Sequence, residues 1–495
     1  MKKNLDSLLE YNLCSSDSSG ASNVIKSRKF NIVWRFFFGL YFNVLKKVED
    51  QEPLDIKKAI ETFDPHTDAL VLCHCAFEAK NQSVSHEIIK LLNKLSNLLS
   101  ISLTTSIVPN TAHDCAAVIY VLDNIPECNN VEITFFNCRV TDTLIFSLAD
   151  VLERKGGRLQ ITKLDLRFNK ITDKGIQYLS NRASTAFQYL QRLHLLSNVI
   201  GGEGVKQIMT ALTNNSLSTL GLSLNPLKEC GMQELENAIG CNKLANLRHL
   251  DIIHSLTEDA DINGGLLVTL LEAILNHCPH FSSLDVSDNN LGVPGAIALG
   301  RSMSQLTQNK TGSILCMNEV MLGDEGLVAF INNLQGSCYL NELQIKKNDI
   351  HAIGISCLAN GMHSQMIVME GGISQIFLDD NPLGLDGTVE VAKVLSMCSS
   401  CQIIELNRCQ LAVSTVDNAT CTARDIGLQL CSMSQPSQMQ ILNLTGNNFT
   451  GEGIYVLAGL MFKCPLVYPG PYQPDGVTMW VYTACTMSHR IAYIP

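Results

Sequence analysis

Three stretches of the chain, LDLRFNKITDKG (164–175), LDVSDNNLGVPG (284–295) and LNLTGNNFTGEG (442–453), spell one pattern with different fillers. Aligned on Asn169, apolar residues stand eight, five and three positions before the asparagine and two after it, with a glycine six after. The same spacing recurs at Asn198, Asn225, Asn289, Asn348, Asn381 and Asn447, and in looser form at Cys138, Ser255, Val320 and Cys409. A degraded first copy centres near Ser106, giving twelve turns roughly 28 to 38 residues apart, the period of stacked repeat architectures. Internal repetition on this scale overrides the three domains that 495 residues would otherwise suggest.

Each recurring position has a mechanical task. Leu164 and Leu166 alternate with period two, so both face one side of a short strand while Asp165 and Arg167 face the other. The asparagine stands where the chain leaves the strand, and its amide can pair backbone groups of adjacent turns. Left unpaired and buried, such a group costs about 1 to 3 kcal/mol. Cysteine at 138 and 409 is a small substitute there. After the glycine, apolar residues take helical spacing, as at Leu327, Phe330, Ile331 and Leu334. Strand then helix, repeated, predicts an α/β solenoid: a horseshoe with a parallel sheet on its concave side and helices on its convex side.

With the repeat laid out, the chain resembles leucine-rich-repeat proteins of the ribonuclease-inhibitor class over residues 98–463. Ahead of the repeats, residues 1–28 form a polar lead-in with a Ser-rich CSSDSSGASNVIKS stretch, and 29–97 read as a helical region. In that region, WRFFFGLYFNVL (34–45), DALVLCHCAFEAKNQ (68–82) and HEIIKLLNKLSNLL (86–99) are similar to the helices preceding the repeats in NOD-like receptors. No G-x-x-x-x-G-K-[ST] loop occurs, so the phosphate cradle of the NACHT module is missing. The chain looks like the C-terminal, helical plus repeat, half of such a receptor without its NACHT module. Residues 464–495 abandon the repeat, and the sequence offers no account of how they cover the last turn.

Bulk composition narrows the function classes. A net charge of −11 with no Lys/Arg run gives no footprint for a phosphate backbone, so nucleic acid is not an expected partner. The opening residues lack the apolar run of a secretory signal, and IVWRFFFGLYFNVL is too short to span a bilayer. A cytoplasmic chain without a membrane span is expected. Its 19 cysteines, odd in number and irregularly spaced, fit reduced thiols better than a disulfide framework. Six glycosylation sequons, at Asn81, Asn214, Asn309, Asn418, Asn443 and Asn448, point weakly the other way; the repeat itself supplies Asn and Thr.

Candidate chemistry is thin. Cys398 and Cys401 make a lone C-x-x-C, and Cys401 falls on the core position eight before Cys409, which favours a structural role. Cys73-His74-Cys75 and His277-Cys278-Pro279-His280 each lack a second ligand cluster at metal spacing. No catalytic motif appears; the sequence predicts no enzyme, no cofactor and no metal. What varies is the outward strand face. Acidic residues Asp285, Asp288, Asp379, Asp380 and Glu405 flank the basic pair Lys346–Lys347, with Phe377 and Arg408 among them. This is either a docking surface whose charges select a partner or a solvated wall whose ions balance one another across strands. Insertions after two strands, LTEDADING (256–264) and LAVSTVDNATCTARD (411–425), lie on one rim, where such additions often bind.

The resemblance implies a recognition module in innate immune sensing or regulation, binding a protein or microbial ligand. An alternative from the same class is a regulator of an enzyme, ribonuclease-inhibitor-like or small-GTPase-activating. Oligomeric state is not legible in the sequence.

Overall fold

A computed structural model describes residues 69–80, 84–88, 99–104, 112–125, 128–213, 215–307, 313–369, 374–397, 401–411, 441–443, 445–447 and 480–482. The lead-in, residues 29–68 of the helical region, the copy near Ser106, Cys398 and nearly all of the second insertion lie outside the described residues. The chain divides into two compact units, with Met1–Ile200 in the first and Ser218–Pro495 in the second.

In the first unit, helix α1 (Ala69–Ala79) packs on α2 (Ala112–Asn124). Strands β1 (Leu99–Thr104), β2 (Cys128–Phe136), β3 (Leu159–Asp165) and β4 (Arg192–His194) pair in sequence order, all parallel. Helices α3 (Asp142–Lys155) and α4 (Asp173–Phe187) pack side by side between them in the chain. The boundary between the units runs through α5 (Gly202–Ala211).

The second unit continues the same alternation. Its strands are β5 (Thr219–Gly221), β6 (His249–Asp251), β7 (Ser283–Asp285), β8 (Ile314–Cys316), β10 (Glu342–Gln344), β12 (Ser374–Phe377), β13 (Cys401–Glu405) and β14 (Ile441–Asn443). They pair in that order, each parallel to the next. Two short strands, β9 (Cys338–Leu340) and β11 (Ile367–Met369), form a separate parallel pair. Between strands run α6 (Lys228–Gly240), α7 (Ala260–His277), α8 (Gly292–Thr307), α9 (Gly323–Asn332), α10 (Ala352–His363) and α11 (Gly384–Met397). At the far end, β15 (Trp480–Tyr482) from the off-pattern tail lies antiparallel on β14, placing Trp480 opposite Asn443. The tail thus covers a strand edge that would otherwise present unpaired backbone groups.

The recurring residues do what their spacing predicts. Leu164, Leu166, Leu284, Val286, Leu343 and Ile345 are 0–1% exposed. Each such side chain removed from water contributes about 1.5 to 3 kcal/mol. The asparagines join neighbouring turns. Asn289 donates to the carbonyls of Ile252 (2.9 Å) and Val286 (2.8 Å) and accepts from the amides of Ser255 and Leu256, both at 2.9 Å. Asn348 donates to Met317 O (2.6 Å) and accepts from Val320 N (2.9 Å), while its own amide donates to Asn381 Oδ1 (2.9 Å). The substitutes keep part of this. Cys409 Sγ donates to Leu378 O at 3.3 Å, and Ser255 Oγ to Leu222 O at 3.3 Å. The glycine six residues on answers to packing, not to φ: a Cβ on Gly295 would stand 2.6 Å from Leu291 Cβ.

One regular feature escapes the hydrophobic pattern. The residue just before each frame position turns left-handed, with φ of 58° at Phe168, 54° at Asp288, 51° at Lys347, 59° at Asp380 and 52° at Arg408. For L residues this conformation costs about 1 to 2 kcal/mol each. It swings the chain off the strand so that the asparagine turns inward and the preceding side chain is displayed at the rim.

Candidate functional site

The outward strand residues of the second unit fall into rows. In register, Asp251, Asp285, Cys316, Gln344, Phe377, Glu405 and Asn443 are successive neighbours across the sheet. A parallel row begins at His249 and Ser283 and passes through Ile314 to Glu342 and Gln375. Neighbouring strands stand about 4.8 Å apart, so charges in one row act on each other directly.

From β10 onward the charges close on themselves. Lys346 Nζ lies 2.7 Å from Asp379 Oδ2 and 3.2 Å from Glu405 Oε2, and 4.5 Å from the centre of the Phe377 ring. Asp379 is 3% exposed, and its other oxygen accepts from the Asn407 amide at 2.8 Å. It is a floor of the network, not a displayed charge. Burial works against the Lys346 ammonium, but the bonds and charges of Asp379 and Glu405 outweigh it and hold its pKa above the ordinary value. Glu405 is drawn upward, chiefly by burial, against the pull of Lys346. At the rim, Lys347 pairs with Glu319 (2.9 Å) and Arg408 grips both oxygens of Asp380. The Asp380 carboxyl is held below its usual range, first by the hydrogen bond from Arg408.

Between β6 and β10 the balance differs. Asp285 accepts from the Ser287 amide at 3.0 Å, and Glu342 accepts from Gln344 Nε2. Neither Asp285 nor Glu342 has a basic partner within 4.0 Å among the described residues. Burial pushes the Asp285 carboxyl up, and the Glu342 charge adds to the push. Cys316 registers the same field: its thiol is raised first by burial, then by Asp285, Glu342 and Asp251. Asp288, at the rim, pairs with His254 Nδ1 at 3.0 Å.

The nine wall residues expected from the sequence therefore sort into two stretches. Lys346, Phe377, Asp379 and Glu405 form one cluster, flanked by the Lys347 and Asp380–Arg408 pairs; Asp285 and Asp288 stand apart from it. Glu342 lies one step further back along its strand than the outward positions of the repeat pattern, and only the register brings it within range of Asp285, with β8 between them.

Asp165 is fully buried beneath Arg167, whose Nη2 donates to it at 2.7 Å. The Arg167 guanidinium lies 5.2 Å from the Phe136 ring, which meets exposed Phe168 edge-on at 5.1 Å. The first insertion is a cap: Asp259 accepts from the amides of Asp261 and Ile262 to start α7, and buried Asn263 donates to Asn290 O at 2.6 Å. His277 Nδ1 engages Asn242 Oδ1 at 2.8 Å and Cys278 Sγ donates to Leu244 O at 3.3 Å, so this pair is occupied by backbone and amide. Cys73 and Cys75 are buried, and burial pushes the Cys73 thiol up to about 12. Eleven of the described cysteines, Cys73, Cys75 and Cys278 among them, take part in no disulfide.

A model of the family described as Leucine Rich repeat matches residues 161–180, 188–209, 277–300, 336–359 and 437–458. The chain is 24% identical over 237 residues to human (Homo sapiens) NACHT, LRR and PYD domains-containing protein 5, covering 48% of this chain and 19% of that one. It is 26% identical over 181 residues to NACHT, LRR and PYD domains-containing protein 4E of Mus musculus, covering 36% of this chain and 18% of that one. To the ribonuclease inhibitor of Mus musculus it is 25% identical over 281 residues, covering 56% of this chain and 51% of that one. The matches thus span about a fifth of each NACHT relative and half of the inhibitor. Among the described residues no helix is long and apolar enough to cross a membrane.

Proposed function

We propose that this chain, a leucine-rich-repeat protein of the ribonuclease-inhibitor class related in sequence to NACHT, LRR and PYD proteins, is a non-catalytic recognition module. Its strand face in the second unit docks a basic protein surface, in the cytoplasm, in the kind of innate immune sensing or regulation that the NOD-like-receptor resemblance implies. The observation that carries this reading is the carboxylate stretch: Asp285 and Glu342 both act on Cys316, and among the described residues neither has a basic partner within 4.0 Å. A partner that brings Lys or Arg to this stretch supplies the missing counter-charges. Phe377, whose ring lies 4.5 Å from Lys346 Nζ at the edge of the closed network, offers an aromatic anchor beside it.

Affinity capture from cell extract tests it. Proteins recovered with the unmodified chain are expected to be lost from Asp285→Asn/Glu342→Gln and weakened by Lys346→Glu/Phe377→Ala. Recovery of every partner unchanged by both double variants would reject the surface. A second reading, control of a basic enzyme, is favoured by the same acidic row and by the likeness to a ribonuclease inhibitor. Inhibition of a pancreatic-type ribonuclease by the chain, relieved by Asp285→Asn/Glu342→Gln, would establish that reading in place of the first.

A further inference from the structure

The packing of α1 on α2 brings His113 against two side chains, His74 and Glu78, that lie 35 or more residues away in the sequence. His74 and Glu78 are four residues apart on α1, hence on one face of the helix one turn from each other. His113 stands in the first turn of α2. One ring nitrogen from each histidine and one carboxylate oxygen of Glu78 lie within 4.8 Å of one another. His113 Nε2 and Glu78 Oε1 are already 3.1 Å apart. Ligands at about 2.1 Å from a tetrahedral zinc ion are separated by about 3.4 Å, so this edge is close to the span that such an ion needs. The two imidazoles are stacked, with centroids 5.3 Å apart and planes inclined by 23°.

A fourth group fixes the geometry. His74 Nε2 is 2.6 Å from Asp114 Oδ1, and both side chains are largely buried. In the tautomer that keeps the proton on Nε2, toward Asp114, the neutral ring carries its lone pair on Nδ1. Histidines that bind metals commonly give their second nitrogen to a carboxylate in this way, which orients the ring and raises its basicity. Glu78 and His113 are 34% and 43% exposed, leaving an entry path from solvent.

We infer that His74, Glu78 and His113 form a binding site for a divalent transition-metal ion of the zinc type, oriented by Asp114, which clamps α1 to α2. Imidazole and carboxylate donors suit zinc rather than calcium or magnesium, which prefer all-oxygen sites. The neighbouring thiols of Cys73 and Cys75 are buried and stay outside the donor set. Three protein ligands leave the fourth position to water.

The full chain, stripped with chelator, is titrated with zinc and, separately, with cobalt. The expected result is one tightly bound equivalent, a rise in melting temperature on binding, and a cobalt spectrum with ligand-field bands but no thiolate charge-transfer band. His113→Ala and Glu78→Gln, neither at a buried position, are expected to weaken binding at least tenfold while leaving the circular dichroism unchanged. Asp114→Asn is expected to lower affinity about tenfold through His74 alone. Failure of the unmodified chain to bind, unchanged affinity in His113→Ala and Glu78→Gln, or a cobalt spectrum showing sulfur ligation would overturn the assignment.

Discussion

The two stretches of strand face in the second unit are built from the same repeat yet treat charge in opposite ways. From β10 onward, Lys346 is met by Asp379 and Glu405 of the two turns that follow it, and Arg408 by Asp380 of the turn before. From β6 to β10, Asp285 and Glu342 act on each other across the intervening strand β8, and burial raises the Asp285 carboxyl. The scaffold is common to both, because the asparagines at 289 and 348 make the same bridges between turns. Stability is thus set by the frame, and the wall is free to spend its charges on itself or hold them for a partner.

That separation can be broken from the frame outward. Asn289→Ala and Asn348→Ala each strand buried amides and carbonyls of two turns. Both are expected to cost about 3 kcal/mol in denaturant unfolding, with no difference between the stretches. A loss confined to one of them would mean that the frame is not shared. Lys346→Met removes the cation above Asp379, whose side chain is 5% exposed. A loss of about 2 kcal/mol is expected, less than for a fully buried pair because Lys346 is 28% exposed. Its folded pKa is raised, so this contribution is complete below the ordinary value of 10.5 and fades as pH rises through the higher one. Unfolding curves for the two proteins should therefore converge at alkaline pH. Arg408→Ala breaks only the rim pair and is expected to cost under about 0.5 kcal/mol, less still in high salt.

Much of this arrangement is legible in the sequence. The spacing of Leu164, Leu166 and Asn169 dictates strand, core side and exit, and the asparagine's bonding role follows from its amide chemistry. Cys409 and Ser255 show how small donors replace it. What the pattern does not carry is geometry between turns. Asp379 counts as outward by alternation, but the left-handed exit of Asp380 and the arrival of Lys346 from the previous turn fold it under the surface. Glu342 comes within range of the Asp285 charge only through strand register, with β8 between them. His113 meets His74 and Glu78 only through helix packing, so local motif spacing passes over that trio. The acidic outline of the wall was readable; which of its charges are spent was not.

The stability of the unmodified chain and of Asp285→Asn, followed from pH 3.8 upward, tests the difference between the stretches most directly. A carboxyl with a raised folded pKa stabilises fully below its ordinary value and loses that contribution as pH rises through the raised one. The unmodified chain should fall behind as Asp285 ionises, leaving Asp285→Asn more stable by about 0.5 kcal/mol at neutral pH. If Asp285→Asn is instead the less stable protein at neutral pH, Asp285 is a compensated structural charge, and the second unit has no stretch held open for a partner.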